Sequence, residues 1–329
     1  PTTTTELMKT TTTSTTITAT TSILISKQKN RQTKTYTTAV SDNGEPINVK
    51  IFDLNADMEP KDIYNGIQCR KSISIFVATT LCVHDLSKDI HVSGSIMREG
   101  VWEQGIVTSF MNYLHSNPDW LVLDVGAQIG QYSLFAASYN RKVLTVEPFI
   151  DNIYRLHKAA KQEGIENNIV LVQNAISNKR NEVKLLDTSD YNIGGQSLLG
   201  SKNKVFKMDK NNKYLVETIL FDDIVPYLPR KEDGSAFKKA LLKIDIEGFE
   251  PYAFQNASKL FDTLDIRIVY MEWGILKSQH DIRHLISNMV EFFFKRGYKA
   301  FGNNRNLPKS DWDSWPWDII WEKEAASSS

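Results

Sequence analysis

The sequence predicts an α/β fold: a mostly parallel, doubly wound, Rossmann-like sheet finished by an antiparallel strand pair. Three observations carry this. Leu121, Val122, Leu123 and Val125 form a continuous apolar run of the kind buried on both faces of a parallel sheet, and Gly126 and Gly130 break it before a helical stretch from Gln131 to Tyr139. A second apolar run, Lys142–Pro148, ends in Glu147, about twenty residues beyond the glycine turn. A helical period over Asp151–Glu163 leads to a third run, Asn168–Ile176, so strand and helix alternate as in a doubly wound sheet.

Taken in order, residues 1–45 are dominated by threonine and hold hardly any aromatic side chain, so they are expected to form a disordered stalk or linker. Residues 46–118 are an N-terminal extension in which SISIFVATTLCVHD reads as strand and Val101–His115 as helix. This segment is expected either to cap the crevice and select an acceptor or to extend the sheet. Cys69 and Cys82, the only cysteines, permit one disulfide or two buried thiols and lie in no metal-ligand pattern. The main domain spans 119–324, and 325–329 is a short disordered tail.

Within the main domain, Gly126 and Gly130 let the backbone turn tightly and let a ligand approach with no Cβ in the way. Ala127 and Gln128 between them depart from the G-x-G-x-x-G spacing. A carboxylate such as Glu147 suits a ribose diol, or else is a solvated strand end. Asn174 and Ala175 close the third run, beside an adenine ring or in a plain turn. In ALLKIDIEGFE, Ala240–Glu250, Asp245 and Glu247 lie two apart and so share one face of an apolar strand that Gly248 then ends. Two carboxylates there are costly unless they are used or paired, and Lys243 shares the face. Tyr298–Phe301 and Asp318–Glu322 are expected to make the closing antiparallel pair. The late tryptophans, Trp312, Trp315, Trp317 and Trp321, are either core or a stacking surface for a sugar; Trp321 is expected in the core, and Trp312 and Trp315 at the surface.

Lys and Arg together number 39, as do Asp and Glu, so the formal net charge is zero; with no basic stripe, a nucleic-acid partner is not expected. No apolar run is long enough to cross a membrane. A membrane association is expected only through an N-terminal anchor absent from this chain, which begins with Pro1. The sequon at Asn256 falls on an expected helix and is read as unused.

DVGAQIG, the VEP acid, QNAIS, GGQSL, TILFDDI and above all LLKIDIEGFE together resemble the FkbM-type S-adenosylmethionine-dependent methyltransferases, in order and spacing. The likeness runs from Asp119 to Trp273 and more loosely to Glu322. It implies a Rossmann-like class I methyltransferase. By position it assigns Asp124, Gly126, Ala127, Gln128 and Gly130 to the methionine part of the cofactor, Glu147 to the ribose, and Asn174 with Ala175 to the adenine. It makes Gly194, Gly195, Gln196 and Ser197 a covering loop that meets the cofactor, and adds Glu103 of GVWE as an acid preceding the first strand. Asp222 and Asp223 match an acidic pair before a short helix, Asp245, Glu247 and Glu250 the acidic motif, and Glu272 the end of the next strand. Two departures stand out. Gln128 replaces the family's usual Asn, and Trp273–Gly274 follows Glu272 where many relatives place a histidine, leaving His280 and His284 as the nearest imidazoles.

Methyl transfer to a hydroxyl needs alignment and help in removing a proton. Asp245 is the expected base or metal ligand, with Glu272 or His280 assisting, and Asp245, Glu247 and Glu272 could form an oxygen-ligand site for a divalent metal such as magnesium or manganese. The expected reaction is O-methylation of a glycan, in the Golgi lumen of the secretory pathway. The alternatives are a small alcohol, carboxyl or amine acceptor in the cytoplasm, a cofactor-binding interaction module without catalysis, or a nucleotide-dependent oxidoreductase.

Overall fold

A computed structural model describes residues 47–187 and 191–324, together with the backbone of Leu24–Ile25 and Thr33–Thr38. The strands β1 (Leu24–Ile25), β2 (Thr33–Thr38) and β3 (Ile47–Phe52) precede helix α1 (Lys61–Gly66), the hairpin β4 (Gln68–Lys71) and β5 (Thr80–Val83), and helices α2 (Val92–Glu99) and α3 (Gln104–Ser116). The alternating stretch is β6 (Leu121–Val125), α4 (Gln131–Ser138), β7 (Val143–Val146), α5 (Ile150–Glu163) and β8 (Ile169–Val172). Short strands β9 (Ala175–Ile176), β10 (Val183–Leu185) and β11 (Leu215–Ile219) follow, then β12 (Lys239–Ile244), α6 (Glu250–Ala253), α7 (Ser258–Thr263) and β13 (Asp265–Glu272). The chain ends in α8 (Arg283–Lys295), β14 (Tyr298–Gly302), β15 (Arg305–Leu307) and β16 (Asp318–Lys323).

The main sheet runs β1-β2-β3-β8-β7-β6-β12-β13-β16-β14-β15. Its centre, from β8 to β13, is parallel, and β16 inserts antiparallel between β13 and β14, the closing pair the sequence predicts. The central strands are buried on both faces, as their unbroken Val, Leu and Ile runs require. One core layer packs α6, α7 and α8 beneath the sheet, and a second packs α3, α4 and α5 above it.

Four expectations are corrected. Part of the segment read as disordered, Thr33–Thr38, is a strand: TKTYTT is rich in β-branched residues of high strand propensity, and it lies between β1 and β3, pairing with β3 along its whole length. The rest of 1–45 and the tail 325–329 lie outside the described residues. The third apolar run divides, because Asn174 accepts from Lys50 N at 2.8 Å and donates to Glu217 O at 3.3 Å, turning the chain so that β9 joins β11 rather than the main sheet. Trp315 is buried, not surface: its ring lies 4.8 Å from Trp273 and 5.2 Å from Trp321, and its indole N–H reaches Pro308 O. Trp312 is likewise half-buried against Trp273, while Trp321 is in the core as expected.

The N-terminal extension lengthens the sheet through β3 and also reaches the crevice, through α2 and the turn before it. Cys69 and Cys82 face each other across the β4–β5 hairpin and are disulfide-bonded.

Candidate active site

The chain steps from β6 through β7 to β8 in one direction and later from β12 to β13 in the other. The topological switch therefore falls between β6 and β12, and the crevice outside their carboxyl ends is where a ligand is bound in such sheets. A cavity of about 400 Å³ opens there. Gly126 shows how closely the two strand ends approach: at φ +77°, a Cβ on it would stand 1.8 Å from the Asp245 carbonyl oxygen. Gly130 serves packing instead, since its Cβ would meet Leu156 Cδ1 at 2.5 Å, and it does not line the cavity.

On the cofactor side the walls include Asp124, Gly126, Ala127, Gln128, Glu147, Asn174, Ala175, Gln196 and Glu103. Asp124 accepts from Ser133 N at 2.9 Å and Ser133 Oγ at 2.6 Å, joining β6 to the first turn of α4; burial lifts its carboxyl to about 6. Glu147 Oε1 accepts from Phe149 N and Oε2 from Gln128 N, each at 2.8 Å, so Oε2 keeps a lone pair for a ligand hydroxyl. Asn174 is at the wall, but its amide is spent on the strand break described above. Gln196 Oε1 is buried with no protein partner, although its amide nitrogen donates to Ile193 O. A glycine cradle, a carboxylate with spare acceptor capacity and an orphaned amide oxygen together fit S-adenosylmethionine.

Two segments pair over this cavity. Ile90 N donates to Tyr191 O and Ile193 N to Lys88 O, at 3.1 and 3.0 Å, while Asn152 Nδ2 holds Gly194 O at 2.8 Å. Ser197 lies outside the lining, where its Oγ donates to Glu247 O and fixes the covering loop to the end of β12. Gln131 brackets Trp102 through both its backbone groups, placing Glu103 at the rim in a left-handed conformation, φ 50°. Burial raises the Glu103 carboxyl to about 6 against the pull of Lys243.

Asp245, Glu247 and Glu272 converge on the opposite wall. Asp245 Oδ2 receives Lys243 Nζ at 2.9 Å, and the buried ammonium lies 5.3 Å from the Tyr132 ring centroid. Burial alone would favour neutral lysine, but Asp245, with Glu103 and Asp124 behind it, more than offsets this and holds Lys243 charged. Glu247 sits at φ 55°, a strained conformation for a non-glycine residue, and burial plus the Asp245 charge push its carboxyl up to about 7. Glu272 Oε1 accepts from Trp317 Nε1 at 2.8 Å, whereas Oε2 is buried without a protein partner. Burial and the neighbouring Asp245 and Glu247 charges raise it to about 9, so at neutral pH it carries a proton it can share.

Four other sequence-predicted residues stand outside the cavity. Asp222 accepts from Leu260 N near the start of α7, and Asp223 accepts from Leu220 N while holding Arg180 through both carboxylate oxygens; both are fold supports rather than acceptor contacts. Glu250 accepts from Ile246 N and braces the turn after β12. His280 is exposed, because the neighbouring Gln279 is the side chain that turns inward, to Gly248 O. Among the described residues, no group of three or more His, Cys, Asp or Glu side chains is placed to hold a metal ion, so the three carboxylates do not make the expected metal site. Of the four late tryptophans that the sequence offers as core or as a stacking surface for a sugar, Trp317 is the one at the site, because Asp318 pairs with Glu272 across β16 and β13. Nothing local singles it out from the other three. Lys243 was visible two residues before Asp245, yet read only as a pairing cation.

The buried acids set a pH signature. Glu147 and Glu250, each raised to about 8 by burial, keep protons in the folded state that the unfolded chain releases above about 4.5. Their contribution is full below that value and is lost as pH rises through 8. His84 and His157, held down to about 4 by burial, oppose this only below 6.5. Urea unfolding is therefore expected to show lower stability at pH 8 than at pH 6.5, with Glu250→Gln flattening the fall. Equal stability at both pH values would contradict the assignment.

The family model described as the methyltransferase FkbM domain matches residues 124–300. Similar solved structures include the Synechocystis magnesium protoporphyrin IX methyltransferase with bound S-adenosylhomocysteine, at 11% identity, 67% of this chain, 83% of that chain and a TM-score of 0.35. An rRNA methylase from Streptococcus thermophilus gives 12%, 62%, 86% and 0.31, and the bifunctional kinase-methyltransferase WbdD gives 13%, 71%, 44% and 0.38. At this level of likeness none of them bears on activity or substrate. No curated protein matches the chain. The family match spans more than half of the chain and covers the glycine turn, Glu147 and the acidic strand end; the protein belongs to the FkbM methyltransferase family and is an S-adenosylmethionine-dependent methyltransferase.

Proposed function

We propose that the enzyme methylates a hydroxyl oxygen of a sugar, with a glycan as acceptor. Trp317 carries this reading: it is 58% exposed at the cavity mouth, yet its indole N–H is tied to Glu272. An aromatic face held beside carboxylates suits a sugar ring, whose apolar face stacks while its hydroxyls meet the acids.

The turn from Gly126 to Gln128 would hold the amino-acid end of the cofactor, Glu147 the ribose, and Gln196 Oε1 a ligand N–H. When bound, S-adenosylmethionine supplies an activated methyl group: the carbon–sulfur bond breaks as the carbon–oxygen bond forms, and the sulfonium becomes a neutral thioether. Glu247, with a pKa near neutrality, takes the hydroxyl proton. Glu272, protonated, donates from Oε2 to an acceptor oxygen and fixes the ring against Trp317. Lys243 orients Asp245 beside the base through their ion pair. The two paired segments above the cavity exclude water.

Calorimetry with S-adenosylhomocysteine and tritiated methyl transfer onto glycans test this. Trp317→Ala is expected to raise KM for a sugar acceptor about tenfold, the weight of one aromatic contact, with cofactor affinity unchanged. Label appearing only on amines would overturn the reading. We further place the enzyme in the secretory pathway, in the Golgi lumen. The Cys69–Cys82 disulfide supports an oxidising compartment, and free thiols at both positions in protein from its native source would refute it.

A further inference from the structure

A second cavity of about 520 Å³ opens beside α3, over β13 and β16, and is lined by Ser109, Tyr113, Tyr270, Asn304 and Asp318. It adjoins the first cavity at Lys243, which lines both. The consecutive residues Trp317 and Asp318 also stand at this junction, one lining the first cavity and the other the second. Its size falls within the range of small-molecule sites.

The lining mixes apolar and polar groups: Ile106, Met271, Phe301 and Ile320 stand among Ser109, Asn304, Asp318 and Glu322. Tyr113 and the buried Tyr270 meet edge to face with ring centroids 6.3 Å apart, and the Tyr113 hydroxyl donates to Glu322. Ser109 Oγ and Tyr270 OH lie 2.7 Å apart, and each retains hydrogen-bonding capacity beyond that contact. Asn303 and Asn304, both left-handed at φ 50° and 59°, make the two-residue turn between β14 and β15 and bring their amides to the rim. Asp318 adds an acceptor, and its carboxyl is raised by burial. Apolar side chains interleaved with a hydroxyl, amides and carboxylates suit a polyhydroxylated ring, which presents apolar faces and polar edges.

We propose that this second cavity is the subsite for the sugar residue next to the one methylated, so that the acceptor is an oligosaccharide reaching across Lys243. This rests on the sugar-acceptor reading above. The reacting ring lies against Trp317 and the acids of the first cavity, and its neighbour lies between Tyr113, Tyr270 and Asn304. Chain length of the acceptor is then read by a cavity that takes no part in the chemistry.

Gly105 gives a clean test. It lines the second cavity from the first turn of α3, and a Cβ on it meets nothing within 4 Å, so a larger side chain fills the cavity without a clash at its root. Methyl transfer from tritiated S-adenosylmethionine would be measured on mono-, di- and trisaccharides of mannose, galactose and N-acetylglucosamine. In the wild type, KM is expected to fall roughly tenfold from mono- to disaccharide, the weight of one or two net hydrogen bonds. Gly105→Phe is expected to erase that gain, with monosaccharide turnover and S-adenosylhomocysteine affinity unchanged, while Gly105→Ala keeps it. Asn304→Ala, on an exposed turn, should lose part of the gain and so provides a second readout if Gly105→Phe folds poorly. A full gain in both Gly105→Phe and Asn304→Ala, or equal KM for all lengths in the wild type, overturns the subsite and leaves the sugar reading intact. No label on any sugar while S-adenosylhomocysteine still binds overturns the sugar reading, and the subsite with it.

Discussion

Glu247→Gln is expected to lower kcat by about 10²–10⁴-fold, the usual contribution of a positioned general base, while S-adenosylhomocysteine affinity stays within a factor of a few. The amide keeps the shape of the side chain and loses its capacity to take a proton. Burial and the Asp245 charge raise the Glu247 carboxyl to about 7, and a base works only when ionised. In the wild type, kcat/KM should therefore rise with pH up to about 7 and fall about tenfold for each unit below it. That ascending limb should vanish in Glu247→Gln. Asp245→Asn serves as the discriminating variant: it leaves Lys243 buried without its partner, so it should lose stability and move the limb to lower pH by removing the charge that lifts Glu247. If the limb survives in Glu247→Gln and is absent from Asp245→Asn, the base is Asp245 and the assignment to Glu247 falls.

Gly126→Ala is expected to abolish S-adenosylhomocysteine binding and to lower Tm by roughly ten degrees. Two costs add. Alanine at φ +77° is disfavoured by about 1–2 kcal/mol, and overpacking against the Asp245 carbonyl, 1.8 Å from the new Cβ, adds about 1–3 kcal/mol. At about 2–4 °C per kcal/mol for a chain of this size, the sum gives the stated shift. The clash cannot relax cheaply, because Asp245 N is bonded to Val125 O at 3.0 Å, and moving one strand end moves the other. Gly164→Ala isolates the steric part: φ is +66° there too, but its Cβ meets nothing within 4 Å, so only the conformational cost should appear. Unaltered cofactor binding by Gly126→Ala would show that the close approach of β6 and β12 is not what shapes the crevice.

Much of the fold was legible because burial on both faces writes itself into sequence as unbroken apolar runs, which is how β6, β7, β12 and β13 stand out. The Thr33–Thr38 strand was not, because a threonine-rich strand and a threonine-rich linker have the same composition. Trp315 and Trp312 went wrong for a related reason. An indole's burial depends on what folds over it, here Trp273 and Trp321 from other strands. The site was legible where its residues are local in the chain. Asp222 and Asp223 matched the pattern as well as any, yet their oxygens are taken by Leu260, Leu220 and Arg180, a fact about hydrogen bonding that spacing cannot carry.

The sequence by itself determined the sheet, the glycine turn, the acid Glu147 that ends β7 and the run of carboxylates at the end of β12, and through them the family and the cofactor. These features are encoded by residues a few positions apart, whose geometry follows from the period of a strand or the φ of a glycine. The tertiary structure alone decided which acids face the cavity, which of them are lifted toward neutrality, and that Trp317 stands beside them. Burial and the field of neighbouring charges depend on distances in space, and here strands far apart in the chain set those distances.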